Sequence, residues 1–228
     1  MSHSAVDSSF AVSNVVLDRI ISTDELWANA GRASENCRIA IHNVDSLLTI
    51  SIGNHIFSES TGAVLRCTWC NASVMFHDGF TGSRNGYTHA SISAPRSGTF
   101  MRAVANNSGN VSVFIHDFTA TAVLKVSFTS SINGSIRLAD SSITRVLSKS
   151  LSFAEGTTVE LLRLRGPTEV CEQCGNGAGN VTIEVNNSQF ADSFASSFQQ
   201  PKSAVSVTIR DCTSESGAQI GVSMLANA

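Results

Sequence analysis

One nine-residue pattern keeps returning along the chain, and that recurrence restricts the fold more than any other feature. It is written "NCRIAIHNV", "NASVMFHDG", "NVSVFIHDF", "NGSIRLADS", "NVTIEVNNS" and "AVSVTIRDC". Aligned on their acid or amide, the copies share three alternating columns. The first is Cys37, Ala72, Val111, Gly134, Val181 and Val205; the second Ile39, Val74, Val113, Ile136, Ile183 and Val207; the third Ile41, Phe76, Ile115, Leu138, Val185 and Ile209. A period of two with β-branched enrichment predicts strands that bury one face.

The next polar column is Asn43, Asp78, Asp117, Asp140, Asn187 and Asp211, spaced by 35, 39, 23, 47 and 24 residues. The basic unit is therefore 23 or 24 residues, the interval of 47 holds two units, and 35 and 39 are units with insertions. The skipped copy falls near residues 156–165, where "TVELLRL" supplies a degenerate strand. Between copies, "LLTISI", "VLKVSF" and "IGVSM" add further strands. Such a unit has no room for a crossover helix and matches a parallel β-helix with coils stacked ~4.8 Å apart.

The expected fold is thus all-β, a single-stranded parallel β-solenoid of about eight coils over residues 36–228. Right-handed coiling is expected, because the six-residue beat of left-handed hexapeptide solenoids is absent. An antiparallel sandwich also has many short strands but does not explain copies in one register. Residues 1–35 are set apart as an N-terminal segment. Within it "STDELWANAG" predicts a short helix, capped by Ser22 or Thr23 and stopped at Gly31, that covers the open end of the apolar column.

Asn and Asp suit tight bends because their side chains bond nearby backbone N–H groups and tolerate a left-handed backbone. Stacked coil on coil, the six form a turn ladder, and here the chain resembles the pectin-lyase-like right-handed β-helices from about residue 36 onward. His42, His77 and His116 precede the ladder in three copies, where strand alternation points them outward as exposed polar residues rather than bases or metal ligands.

The resemblance raises polysaccharide cleavage as an activity, but the residues argue against an enzyme. The "NTD", "DD", "GHG" and "RIK" set of polygalacturonase-like enzymes is missing, and no acid cluster sits beside Lys or Arg as calcium-dependent lyases of this fold require. No cofactor or metal motif is read. A net charge of −3 gives no footprint for nucleic acid, and no window approaches a membrane-spanning helix. Arg163 and Arg165, beside Leu162 and Leu164, are expected on a solvated strand face.

Two CxxC pairs, Cys67 with Cys70 and Cys171 with Cys174, lie about four coils or ~20 Å apart, too far for one zinc ion. Local disulfides stapling inserted loops are expected, and with them an oxidising compartment. Cys37 is expected to be a buried thiol, and Cys212 is left open. Sequons for N-glycosylation occur at Asn71, Asn106, Asn110, Asn133, Asn180 and Asn186.

The CxxC elements, the strands that follow them and the Ser- and Thr-rich composition are together similar to large kinetoplastid surface proteins of the dispersed gene family type. That similarity implies a cell-surface or secreted glycoprotein solenoid, often membrane-anchored, and the chain is expected to be part of a longer repeat protein. The functional expectation is noncatalytic adhesion, with a glycan or protein ligand along the solenoid face. A polysaccharide-active enzyme or its remnant is the alternative.

Overall fold

The computed structural model describes residues 9–17, 38–52, 61–68, 71–77, 79–83, 88–93, 99–117, 119–167, 169–191, 194–199, 201–214 and 220–225. Its strands are β1 (Ser9–Leu17), β2 (Arg38–Ile52), β3 (Val64–Thr68), β4 (Asn71–His77), β5 (Thr88–Ser93) and β6 (Thr99–Arg102). Then follow β7 (Val111–His116), β8 (Thr119–Lys125), β9 (Ser135–Ala139), β10 (Ser142–Ser148), β11 (Thr158–Leu162) and β12 (Glu169–Cys174). The last are β13 (Val181–Asn186), β14 (Gln189–Phe190), β15 (Phe194–Gln199), β16 (Val205–Arg210), β17 (Thr213–Ser214) and β18 (Ile220–Leu225). Among the described residues there is no helix.

Every strand pair is parallel, which excludes the sandwich. One side of the solenoid stacks β3, β5, β7, β9, β11, β13 and β16; the other stacks β4, β6, β8, β10, β12, β15 and β18, and the long β2 joins both. The "TVELLRL" copy is β11, paired between β9 and β13 in the register Ile136↔Val159↔Ile183. The architecture is a parallel β-solenoid of about 4 turns rather than eight. The higher figure divides the whole of residues 36–228 by one unit, whereas coils described at all but positions 118 and 168 run only from about residue 99 to 191.

A second correction concerns "NASVMFHDG". It forms β4, which pairs Val74↔Thr99 and Phe76↔Met101 on the opposite side. The places expected for Val74 and Phe76 are held by β3 and β5, through Ile39↔Leu65↔Ala90↔Val113 and Ile41↔Cys67↔Ile92↔Ile115. Both sides alternate inward and outward, so a period of two cannot tell one side from the other. Spacings of 35 and 39 are therefore not insertions but a change of side. β1 pairs in parallel with β2 (Phe10↔Ile39, Val12↔Ile41), so this part of segment 1–35 joins the stack. The predicted capping helix and Cys37 lie outside the described residues.

The core is one continuous apolar column. Val111, Val113 and Ile115, then Ile136 and Leu138, Val159 and Leu161, and Val181, Ile183 and Val185 are all buried, while their neighbours in the strand alternate outward. Each inward aliphatic contributes roughly 1.5–3 kcal/mol through burial. Phe128 fills the gap left where the first column carries Gly134: a Cβ there would lie 2.8 Å from its Cδ1.

Thr157 occupies the same column, and its buried Oγ1 has no hydrogen-bond partner. Thr157→Val keeps the shape and removes an unsatisfied hydroxyl. We expect a gain of about 1 kcal/mol, read as a Tm rise of about 2–4 °C in a thermal melt.

The corners are unusual. Five backbone positions of positive φ repeat from coil to coil, exemplified by Val126 (51°), Phe128 (55°), Ser130 (53°), Asn133 (52°) and Asp140 (51°), and they recur one unit on at Lys149, Leu151, Phe153, Gly156 and Arg163. Left-handed backbone costs an L-residue about 1–2 kcal/mol. Inter-coil hydrogen bonds offset that cost: Val126 N–H donates to Ser148 O (2.9 Å), Ser130 N–H to Ser152 O (2.7 Å) and Asn133 N–H to Glu155 O (2.8 Å). Phe128 N–H donates the other way, to Val104 O in the preceding coil (2.8 Å).

Candidate functional site: a groove along the turn column

The ladder predicted from the Asn and Asp column is a corner of the solenoid. Asp117, Asp140, Asn187 and Asp211 all have φ of 51–52° and stack one per coil. Arg163 (49°) is the missing member, and sequence reasoning passed over it because Arg is not a turn residue. Their amides donate along the axis, Asp140 N–H to Leu162 O (3.0 Å), Arg163 N–H to Asn186 O (3.1 Å) and Asn187 N–H to Arg210 O (3.1 Å). Asn43 falls within β2, and Asp78 lies outside the described residues.

One residue further on, the chain turns inward and sequence reasoning missed what it places there. Ser141, Ser188 and Cys212 each donate to the carbonyl two residues back, at Ala139, Asn186 (3.0 Å) and Arg210 (3.1 Å). Ser188 Oγ also accepts Leu164 N–H from the coil before (3.1 Å). The opposite corner repeats the device: Ser127 N–H donates to Ser150 Oγ (3.1 Å), and Ser150 Oγ donates to Ser148 O (3.1 Å). The legible signal was a Ser recurring at the unit spacing, but buried Ser reads as surface in a Ser-rich chain.

Another residue on, Thr119, Ser142, Arg165, Gln189 and Thr213 turn outward again. With the ladder they form the two rims of a groove of about 690 Å³, floored by Ser141, Leu164 and Ser188 and running parallel to the axis. Arg163 and Arg165 therefore both line this groove, on either side of the corner, instead of sharing a strand face, because β11 ends at Leu162 and Leu164 turns into the core.

The groove carries charge of both signs. Arg163 grips Asp140 through Nε to Oδ1 (2.5 Å) and Nη2 to Oδ2 (2.7 Å). That fork holds the Asp140 carboxyl below the usual carboxylate range, with smaller help from the charges of His116 and Arg137. A depressed acid contributes stability above its ordinary pKa and loses it as pH falls through the lowered value. In Arg163→Gln the Asp140 titration is expected to move up in pH, and acid unfolding to begin at a higher pH. A carboxyl-carbon NMR titration checks this.

At one end of the groove His116 Nδ1 lies 2.9 Å from Asp117 Oδ2, and the imidazole stacks on Phe114 with centroids 4.8 Å apart. His116 is half-buried on the outer face, as strand alternation predicts. Beside it Arg137 lies over the Phe114 ring at 5.3 Å and pairs with Glu160 at 3.2 Å. His42 and His77 are on β2 and β4. Among the described residues no group of His, Cys, Asp or Glu is placed to hold a metal ion.

The other predicted residues are not brought to the groove. Cys171 and Cys174 form a disulfide with Cα atoms 5.6 Å apart. It staples no inserted loop: both residues belong to β12 and are buried in the core, at a register shift against β15. Cys212 is a free thiol at the end of the serine stack. Cys67 lies on β3, and Cys70 is outside the described residues.

Among the sequons, Asn110, Asn133 and Asn180 are exposed at corners. Asn106 is committed to packing, accepting Thr129 N–H at 2.9 Å and donating to Val126 O at 3.1 Å. Asn186 faces outward on β13 beside the buried Ser188, and Asn71 is on β4.

No family model, curated protein or solved structure matches the chain. The parallel solenoid stands on its own geometry.

Proposed function

We propose that the chain is a noncatalytic binding segment of a longer surface or secreted solenoid, and that its turn-column groove holds an extended glycan. The observation that carries this reading is the groove's repetition: the same three positions line it coil after coil. The five ladder positions from Asp117 to Asp211 are separated by four steps and span about 19 Å at ~4.8 Å each. A ligand matching such a site is itself linear and repeating.

Asp, Asn, Gln, Arg and hydroxyl side chains on the rims are partners for sugar hydroxyls. Three carboxylates against two guanidiniums favour a neutral glycan over a polyanion. The Cys171–Cys174 disulfide supports an oxidising setting and hence a secreted or cell-surface location.

Glycan-array screening followed by calorimetry tests the reading. Arg165→Ala is expected to weaken binding about tenfold, the loss typical of one charge-assisted hydrogen bond. Arg210→Ala, on the outer face of β16 away from the groove lining, leaves binding unchanged. Unaltered affinity in Arg165→Ala would remove the groove as the site.

The His116–Asp117 contact at the groove's end favours a second reading, a pectin-lyase-like polysaccharide-active enzyme or its remnant, with the imidazole as base. Turnover in a reducing-end or unsaturated-uronide assay, abolished by His116→Ala, selects that reading; binding without turnover selects the first.

A further inference from the structure

The strands that end at the groove begin at another corner, and it carries a repeat of its own. Asn110 (φ 56°), Asn133 (52°), Gly156 (63°) and Asn180 (52°) stand one per coil where β7, β9, β11 and β13 start. Asn110 N–H donates to Ile132 O (2.9 Å), Asn133 N–H to Glu155 O (2.8 Å) and Gly156 N–H to Gly179 O (3.1 Å), so the four keep step along the axis. Two residues on, each strand turns a hydroxyl outward: Ser112, Ser135, Thr158 and Thr182 share one register. In three of these coils, corner Asn and outward hydroxyl together form the acceptor sequence for N-linked sugar.

The three are not equivalent. Asn180 Nδ2 already donates to Glu155 Oε1 at 2.9 Å. Asn110 has Asn133 as its neighbour one coil on, ~4.8 Å away. Asn133 leans over a residue without a side chain, because a Cβ on Gly156 would lie 2.8 Å from its Oδ1. It is exposed, and among the described residues its carboxamide holds no hydrogen bond. Beside it lie Ile132, 56% exposed, and in the next coil Phe153, 61% exposed, two residues before the Glu155 that accepts its N–H. These are the two most exposed large apolar side chains among the described residues, and a sugar ring laid across them removes apolar area from water.

We propose that Asn133 carries an N-linked glycan. In the transfer, Asn133 Nδ2 bonds to the anomeric carbon of a lipid-diphosphate oligosaccharide; that carbon's bond to the phosphate oxygen breaks, the lipid diphosphate leaves, and the amide gives up one proton. β9 separates this corner from Asp140 on the groove, seven residues on, or roughly 20 Å at ~3.3 Å per residue. The glycan therefore leaves the groove open. The inference rests on the secreted reading and is independent of what the groove binds.

Exporting the full chain from a glycosylating cell behind an added leader tests the site, whatever the natural host does with the chain. Enzymatic release in heavy-oxygen water turns a glycosylated Asn into a marked Asp, and peptide mapping of secreted and retained chain is expected to find the mark at residue 133. Ser135→Ala breaks the acceptor sequence and leaves the corner intact, so the chain should run one glycan lighter on a gel; Ser135→Thr should keep the sugar. Made without glycosylation, Ser135→Ala and the unchanged chain should melt together, which separates loss of sugar from loss of fold. An unmarked residue 133, or an unchanged glycan count in Ser135→Ala, overturns the proposal. A chain marked at 133 whose groove binds no glycan overturns the groove reading alone.

Discussion

Phe128→Ala is expected to cost about 3–5 kcal/mol, the largest single loss among the substitutions considered. Phe128 is fully buried, and its ring occupies the space that a side chain at position 134 would otherwise fill. Gly134 has no side chain to offer and stands between Val111 and Thr157 in its column, so truncating the ring leaves a void. Gly134→Ala alone is expected to destabilise, since its Cβ meets the ring at 2.8 Å and 3.0 Å. Combined with Phe128→Leu it should cost less than the two single effects added together, because the smaller side chain vacates what the methyl fills. Urea unfolding of the single and double variants measures the coupling. Simple additivity would mean that ring and glycine do not share one space.

Asn187→Val is expected to cost about 2 kcal/mol, while Asn187→Gly stays near neutral. The reason lies in the backbone. Position 187 holds φ at 51° so that its N–H can reach Arg210 O at 3.1 Å. A β-branched side chain resists that conformation, and glycine adopts it freely. Equal losses in the two variants would show that the amide side chain, not the turn, is what the position needs. Chemical denaturation again supplies the measurement.

These two positions show what was readable in the chain. Val111, Val113 and Ile115 could be assigned inward because strict alternation over a strand leaves no second arrangement. Asp117, Asp140, Asn187 and Asp211 could be assigned to a turn because their side chains favour one. Phe128 could not be placed. It sits at φ 55° just past β8, where "VLKVSF" reads as continuous strand, and strand pairing in fact stops at Lys125. Apolar residues such as Phe128 and Leu151 carry no sign of a left-handed backbone, since packing and inter-coil hydrogen bonds impose it.

β5 was missed for a different reason. "THASIS" offers only Ala90 and Ile92 as inward candidates, too little apolar patterning to register as a copy. The groove was half legible: one rim was the predicted ladder, but the second rim and the serine floor depend on a chain reversal within two residues. Arg163 and Arg165 look like neighbours on one face until that reversal separates them.

Pulsed electron resonance on a doubly labelled chain tests the stacking most directly. Ser112 and Ser206 both lie on outward positions and are linked through Ser135, Thr158 and Thr182 by four successive parallel pairings. With spin labels on Ser112→Cys and Ser206→Cys, the account predicts one narrow backbone separation of about 19 Å, four steps of ~4.8 Å. A broad distribution, or a separation well beyond that span, would contradict a solenoid in which each repeat lies directly on the one before it.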